Sequence, residues 1–293
     1  MTLALAIAAC LLATAAAAVA AWRSPQRTAW IWTLAAVLAP LAALTAHAAQ
    51  DPALPVSSGE AAAPRVPWEV GERLEYDVRF GRFRAGTGVM EVRGIEQVRG
   101  RPAYHMFFEV KGGIPLFRIH DVFQSWMDTT TLASLRFHQD QDEGPNERRR
   151  RYEIYPTRSV YTESSGGDAT EHPSVSNPVD DGGFLYFLRT VPLEVGRTYT
   201  FDNYFRPDRN PVTIRVLRRE RVKVPAGTFD AIVVRPTVKT RSGIFGEDGK
   251  AEVWLSDDAE RVVLQLKSDL SIGSLNLYLK SHRRGNGTGS AAR

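Results

Sequence analysis

Short runs in which apolar and polar residues alternate predict a mostly β fold. The expected form is an antiparallel curled sheet, a half-barrel or barrel, with one short helix at about residues 182–190 and an apolar N-terminal leader. Three observations carry this. Leu74, Tyr76, Val78 and Phe80 alternate with Glu75, Asp77 and Arg79, and Tyr104, Met106, Phe108 and Val110 repeat the pattern. Val212, Ile214 and Val216, then Leu275, Leu277 and Leu279, do so again. A period of two gives each strand one buried and one wet face. Gly112-Gly113, Gly166-Gly167, Ala226-Gly227 and Asp257-Asp258 punctuate the runs at the spacing of a meander.

The first 48 residues read as a leader. Residues 1–22 are an apolar segment, either a membrane-spanning helix or sequence upstream of the true start, and Val19 is the candidate alternative start. Residues 23–48 read as a signal peptide or signal anchor: Arg23 and Arg27, an apolar run from Trp30 to Leu44, then the small-x-small site Ala46-His47-Ala48. Under either start the two arginines stay inside and the rest of the chain is exported to the periplasm or cell envelope. Ile7-Ala8-Ala9-Cys10 superficially resembles a lipoprotein cleavage box, but no basic region precedes it. Cys10 is the only cysteine, so the exported part has neither a disulfide nor a thiolate site.

Residues 49–67 are rich in Pro, Ala and Ser without periodicity and read as a linker. Residues 68–280 then form one β domain, long enough to bury its own core. Within it, Gly81–Gly88 reads as a hairpin with Phe83 packed inward. Asp180-Asp181-Gly182-Gly183, followed by Phe184, Leu185, Phe187 and Leu188, reads as a capped helix of two or three turns ended near Pro192. Such a helix plugs an open end of a curled sheet, and its apolar face is core. An echo links Val70-Gly71-Glu72 to Val195-Gly196-Arg197, each opening an alternating run and so marking a strand start. Residues 281–293 are small and polar and read as a disordered tail.

Composition narrows the function. Lys and Arg total 37 against 33 acidic residues, and without the two leader arginines the excess is 35 against 33. Such a balance gives no reason to expect nucleic acid as partner. Of Arg148-Arg149-Arg150-Arg151, two are expected to point outward and be neutralised by the acidic turn Asp140–Glu143; the alternative is contact with anionic headgroups. No GxSxG, Walker A loop, dinucleotide fingerprint or HExxH is present, so no catalytic residue, metal or cofactor is expected. His105, His120 and Asp121 are the one set that neighbouring strands could converge into a metal or hydrolytic site. The positive signal is largely aromatic: Tyr76, Phe80, Phe108, Trp126 and Trp254, with Met106 among them, are expected on the concave face, lining a pocket for an apolar ligand or filling it.

The chain also resembles the DUF3108 family of exported bacterial proteins of unknown function. The resemblance rests on Trp68–Val78, Arg84–Gly88, Phe184–Arg189, Val224–Ala231 and Ala251–Asp258 taken in order, spanning Trp68 to about Leu279. It implies a β-rich envelope protein and supplies no catalytic residues. The expected function is therefore a non-enzymatic cell-envelope protein binding a lipid-like or apolar small molecule. The alternatives are a structural or assembly protein docking another envelope protein, and a hydrolase with an unrecognised site.

Overall fold

A computed structural model describes residues 64–286, except positions 82, 115, 116, 145, 242, 249, 271 and 272. The leader and most of the linker lie outside the described residues. Fourteen strands form one antiparallel sheet that does not close. The first arm holds β1 (Arg73–Phe80), β2 (Phe83–Val98), β3 (Arg101–Ile114), β4 (Phe117–Asp128), β5 (Ser134–Glu143), β6 (Asn146–Tyr155), β7 (Val160–Ser164) and β8 (Thr170–Pro173). The helix α1 (Phe184–Thr190) follows. The second arm holds β9 (Thr198–Phe201), β10 (Val212–Val224), β11 (Gly227–Thr237), β12 (Glu252–Ser256), β13 (Val263–Leu270) and β14 (Gly273–Arg283). Each arm is a meander, and the arms join where β1 pairs with β14, leaving β8 and β9 as the two edges.

The pleat sorts side chains as the alternation predicts. In β1, Leu74, Tyr76 and Val78 are buried while the residues between them are half-buried. Cross-strand register carries this inner face round the sheet: Val78 opposes Leu277, Leu277 opposes Leu266, Leu266 opposes Val253, and Val253 opposes Val234. An aromatic series lies on the same face of β3 to β7. Phe108 stacks on Phe123, Phe123 on Phe137 and Phe137 on Tyr152, with ring centroids 6.1, 6.3 and 5.4 Å apart. Phe205 from the other arm sits against Phe137, Tyr152 and Tyr161. Each such pair contributes about 0.5–1.5 kcal/mol beyond its burial.

The connection between the arms turns inward and plugs the sheet. Val179 bridges to Tyr204, and Asp180 accepts hydrogen bonds from Ser125 Oγ at 2.7 Å and from the Gly183 amide at 2.8 Å. A methyl group on Gly183 would sit 3.0 Å from Met127 Sδ, and one on Gly182 would sit 3.2 Å from Phe137, so the plug is tightly seated. In α1, Phe184, Leu185, Tyr186, Leu188 and Arg189 are all buried. Arg189 ends the helix in a bidentate pair with Glu72 at 2.6 and 2.9 Å, and also donates to the Pro67 and Glu260 carbonyls. The helix lies where the sequence places it, beginning two residues later.

Three expectations are corrected. Phe83 is 77 % exposed at the start of β2, because the β1–β2 hairpin extends past the core. Gly112-Gly113 is not a turn but lies within β3. There Gly112 meets Gly86 so closely that a Cβ on Gly112 would stand 2.0 Å from the Ala85 carbonyl oxygen. Gly112→Ala is therefore expected to cost about 1–3 kcal/mol, read by urea unfolding, since a backbone atom cannot step aside as a side chain can. The predicted tail from Ser281 is in part ordered, for β14 runs to Arg283 and the Asn286 amide donates to the Val70 carbonyl at 3.2 Å.

The Val-Gly echo is structural. Gly71 and Gly196 both take positive φ, 89° and 86°. The Gly71 amide donates to Val92 and the Val92 amide to Glu72, just as Gly196 donates to Val216 and Val216 to Arg197. Both partner strands then shift register at once, after Val92 in β2 and after Val216 in β10.

Candidate functional site

The concave face falls into two halves. Beneath α1 it is solid: Tyr76 and Met106 are 1 % and 0 % exposed, and the Tyr76 hydroxyl donates to the Val263 carbonyl at 2.9 Å. Toward the β1–β2, β3–β4 and β5–β6 connections the cover ends. Burial in β5 stops at Phe137, and Phe108, Val110 and Phe123 are only half-buried. Of the six residues expected to line a pocket, only Phe80 and Phe108 belong to this open half.

Trp126 and Trp254 are on the outer face. In β4, Ser125 takes the inward position because Asp180 of the plug needs its hydroxyl, which turns Trp126 outward. There Trp126 stacks on His105 at 4.5 Å and donates to Glu96 at 2.7 Å. Trp254 lies between Val253 and Leu255, both inward, and its indole donates to Glu220 while Lys267 sits 5.2 Å from its ring. His105 and His120 also face outward, held by Glu96 and Glu109 at 2.8 Å each, whereas Asp121 faces inward. The sheet thus separates the three groups expected to converge. Among the described residues no cluster of His, Cys, Asp and Glu could hold a metal ion.

The arginine run divides by the pleat. On the outer face Arg151 pairs with Asp140 of the acidic turn at 2.7 Å, as expected, whereas Arg149 pairs with Glu147 of its own strand. Arg148 and Arg150 fall on the inner face, in register with the open half. One row across the strands reads Met90, Phe108, Phe123, Gln139, Arg150; the next reads Gly88, Val110, Asp121, Gln141, Arg148. The surface therefore grades from aromatic on β3 and β4, through amides on β5, to cationic on β6. Burial, with Glu143 nearby, pushes the Asp121 carboxyl up to about 6. Sequence reasoning missed this polar half, although its signal was present. The apolar alternation of β5 lapses at Gln139 and Gln141, and that of β6 begins only at Tyr152.

A separate open groove of about 710 Å³ lies outside the sheet, where Arg65, Pro67, Thr190 and Pro192 face Asp258 and Arg261. It is lined by polar and apolar groups in mixture and does not reach the aromatic series.

None of the curated proteins matches the chain. Among solved structures it is similar to a β-barrel-like protein of a domain of unknown function, DUF1849, from Brucella abortus. The identity is 10 %, the coverage 76 % of this chain and 100 % of that one, and the TM-score 0.48. It is also similar to an inferred exported protein with a YmcC-like fold from Bacteroides fragilis (14 % identity, 76 % and 100 % covered, TM-score 0.28). An inferred lipoprotein from Parabacteroides distasonis matches at 9 % identity, with 74 % and 98 % covered and a TM-score of 0.29. Residues 75–280, nearly the whole described sheet, match the family model described as a protein of unknown function, DUF3108, and the chain belongs to that family.

Proposed function

We propose that this protein is a non-enzymatic module of the cell envelope that binds an acyl chain or similar apolar ligand on the open half of its concave sheet. The observation that carries the reading is the Phe108–Phe123 pair, stacked at 6.1 Å, continuous with the core and yet half-exposed. Apolar side chains left uncovered beside a packed plug favour a guest, because removing them from water contributes about 25 cal/mol per Å². The leader expected over residues 23–48 supports a location in the envelope, where such a guest would be a lipid. The packed region under α1 limits the ligand to this open half.

Titration with a fluorescent C16 fatty acid tests the reading. Wild-type protein is expected to bind it, and Phe108→Glu with Phe123→Glu, which also gives up two stacked aromatic pairs and so lowers stability, to weaken binding at least tenfold at a temperature where both proteins remain folded. A wild-type protein that takes up no probe would overturn the proposal. A docking role is the second reading, and it rests on Phe83, which projects from the β1–β2 tip. Phe83→Ser is expected to leave acyl binding intact, which separates the two.

A further inference from the structure

Resting on that reading, we infer that the ligand of the open face is an anionic amphiphile, its chain on Phe108, Val110 and Phe123 and its head group at Arg148 and Arg150. The register fixes the arrangement, since these side chains occupy two adjacent cross-strand rows on one face. Three strand spacings separate β3 from β6, about 14 Å at roughly 4.8 Å each, which suits a head and a tail held on one surface.

The state of the arginines supplies the charge argument. Their outward neighbours Arg149 and Arg151 are neutralised by carboxylates. Arg148 has neither a hydrogen bond nor an ion pair among the described residues, and is exposed at the end of the face. Arg150 has only Glu163, 3.7 Å away and beyond hydrogen-bonding distance. Between these cations and the aromatics lie Gln139 and Gln141, bonded to each other at 2.8 Å and uncharged. The acidic groups on this face are Asp121 on β4, Glu143 at the rim end of β5 and Glu163 on β7, the last already shared between Arg206, Arg150 and the Tyr152 hydroxyl. A guanidinium pair with spare donors recognises carboxylate or phosphate oxygens, and a neutral head group leaves those donors to water.

The test compares palmitoyl-lysophosphatidylglycerol with palmitoyl-lysophosphatidylcholine, which carry the same chain, by isothermal titration below their micelle concentrations. The anionic lipid is expected to bind about tenfold more tightly. Arg148→Gln with Arg150→Gln should erase that preference while keeping the affinity for the choline lipid. Arg149→Gln with Arg151→Gln makes the same charge change on the outer face and should leave the preference intact. Equal wild-type affinities for the two lipids would overturn the inference and leave the proposed function standing; binding of neither would overturn both. A preference that survives the inner pair of substitutions, or falls equally with the outer pair, would overturn the assignment to Arg148 and Arg150.

Discussion

Arg189→Leu is expected to destabilise the protein by about 3–5 kcal/mol, measured as a lower midpoint in urea at pH 7. The guanidinium is wholly buried and joins α1 through Glu72 to the turn that enters β1, and to two backbone carbonyls besides. Its loss leaves a carboxylate stranded, which costs more than the pair itself contributes. Glu72→Met with Arg189→Met is expected to recover part of the loss, since neither charge then remains. Burial alone would push the Glu72 carboxyl up, but Arg189, with His282 at 3.5 Å, holds it below its usual range. A lowered folded value contributes stability that is present above pH 4.5 and is lost as pH falls through the folded value. The acid limb of wild-type stability should therefore flatten in Arg189→Leu.

Asp180→Asn should stabilise the protein at pH 8 relative to wild type, by on the order of 3 kcal/mol, and leave it nearly unchanged at pH 4. Complete burial pushes the Asp180 carboxyl up to about 7, against the hydrogen bonds from Ser125 and Gly183 that favour the ion. A raised folded value means that stability is full below the unfolded value of 3.8 and is lost as pH rises toward 7. Asparagine keeps the oxygen that accepts from Gly183, while the Ser125 hydroxyl can turn to accept from the new amide. Comparing variant with wild type across pH cancels Asp121, which has the same sign, and His138, whose value is lowered to about 4 by burial and two arginines. Asp180→Ala provides the contrast: it orphans the Ser125 and Gly183 groups and should cost about 1–3 kcal/mol for each.

Much of the fold was legible because period-two alternation and a turn sequence ahead of an apolar run are local physics, although the N-cap of α1 is Gly183 without a side-chain bond and the expected aspartate cap is not formed. Leu74, Tyr76 and Val78 announce their burial through their neighbours, and Asp180 announces the plug before any contact is known. The concave face was harder to read. Val253-Trp254-Leu255 is apolar throughout, so alternation separates the tryptophan from its neighbours without saying which side is inside. Ser125 reads as an outward polar residue, yet it faces in because a carboxylate more than fifty positions later requires it. Phe83 carries the apolar signature of a core residue and is exposed because the hairpin outruns the core. The graded face around Arg148 and Arg150 was hidden for a related reason. Alternation divides the four arginines two and two, but it does not say which pair faces in or that Phe108 and Phe123 lie in the same rows.

The matched hydrogen bonds at Gly71 and Gly196 set the same device where each arm begins. A glycine at positive φ turns the chain into the opening strand, two backbone bonds tie that turn to the partner, and the partner shifts register straight after. A side chain at either position is strained whatever the space beside it, so each arm's entry depends on a residue that contributes no apolar surface of its own.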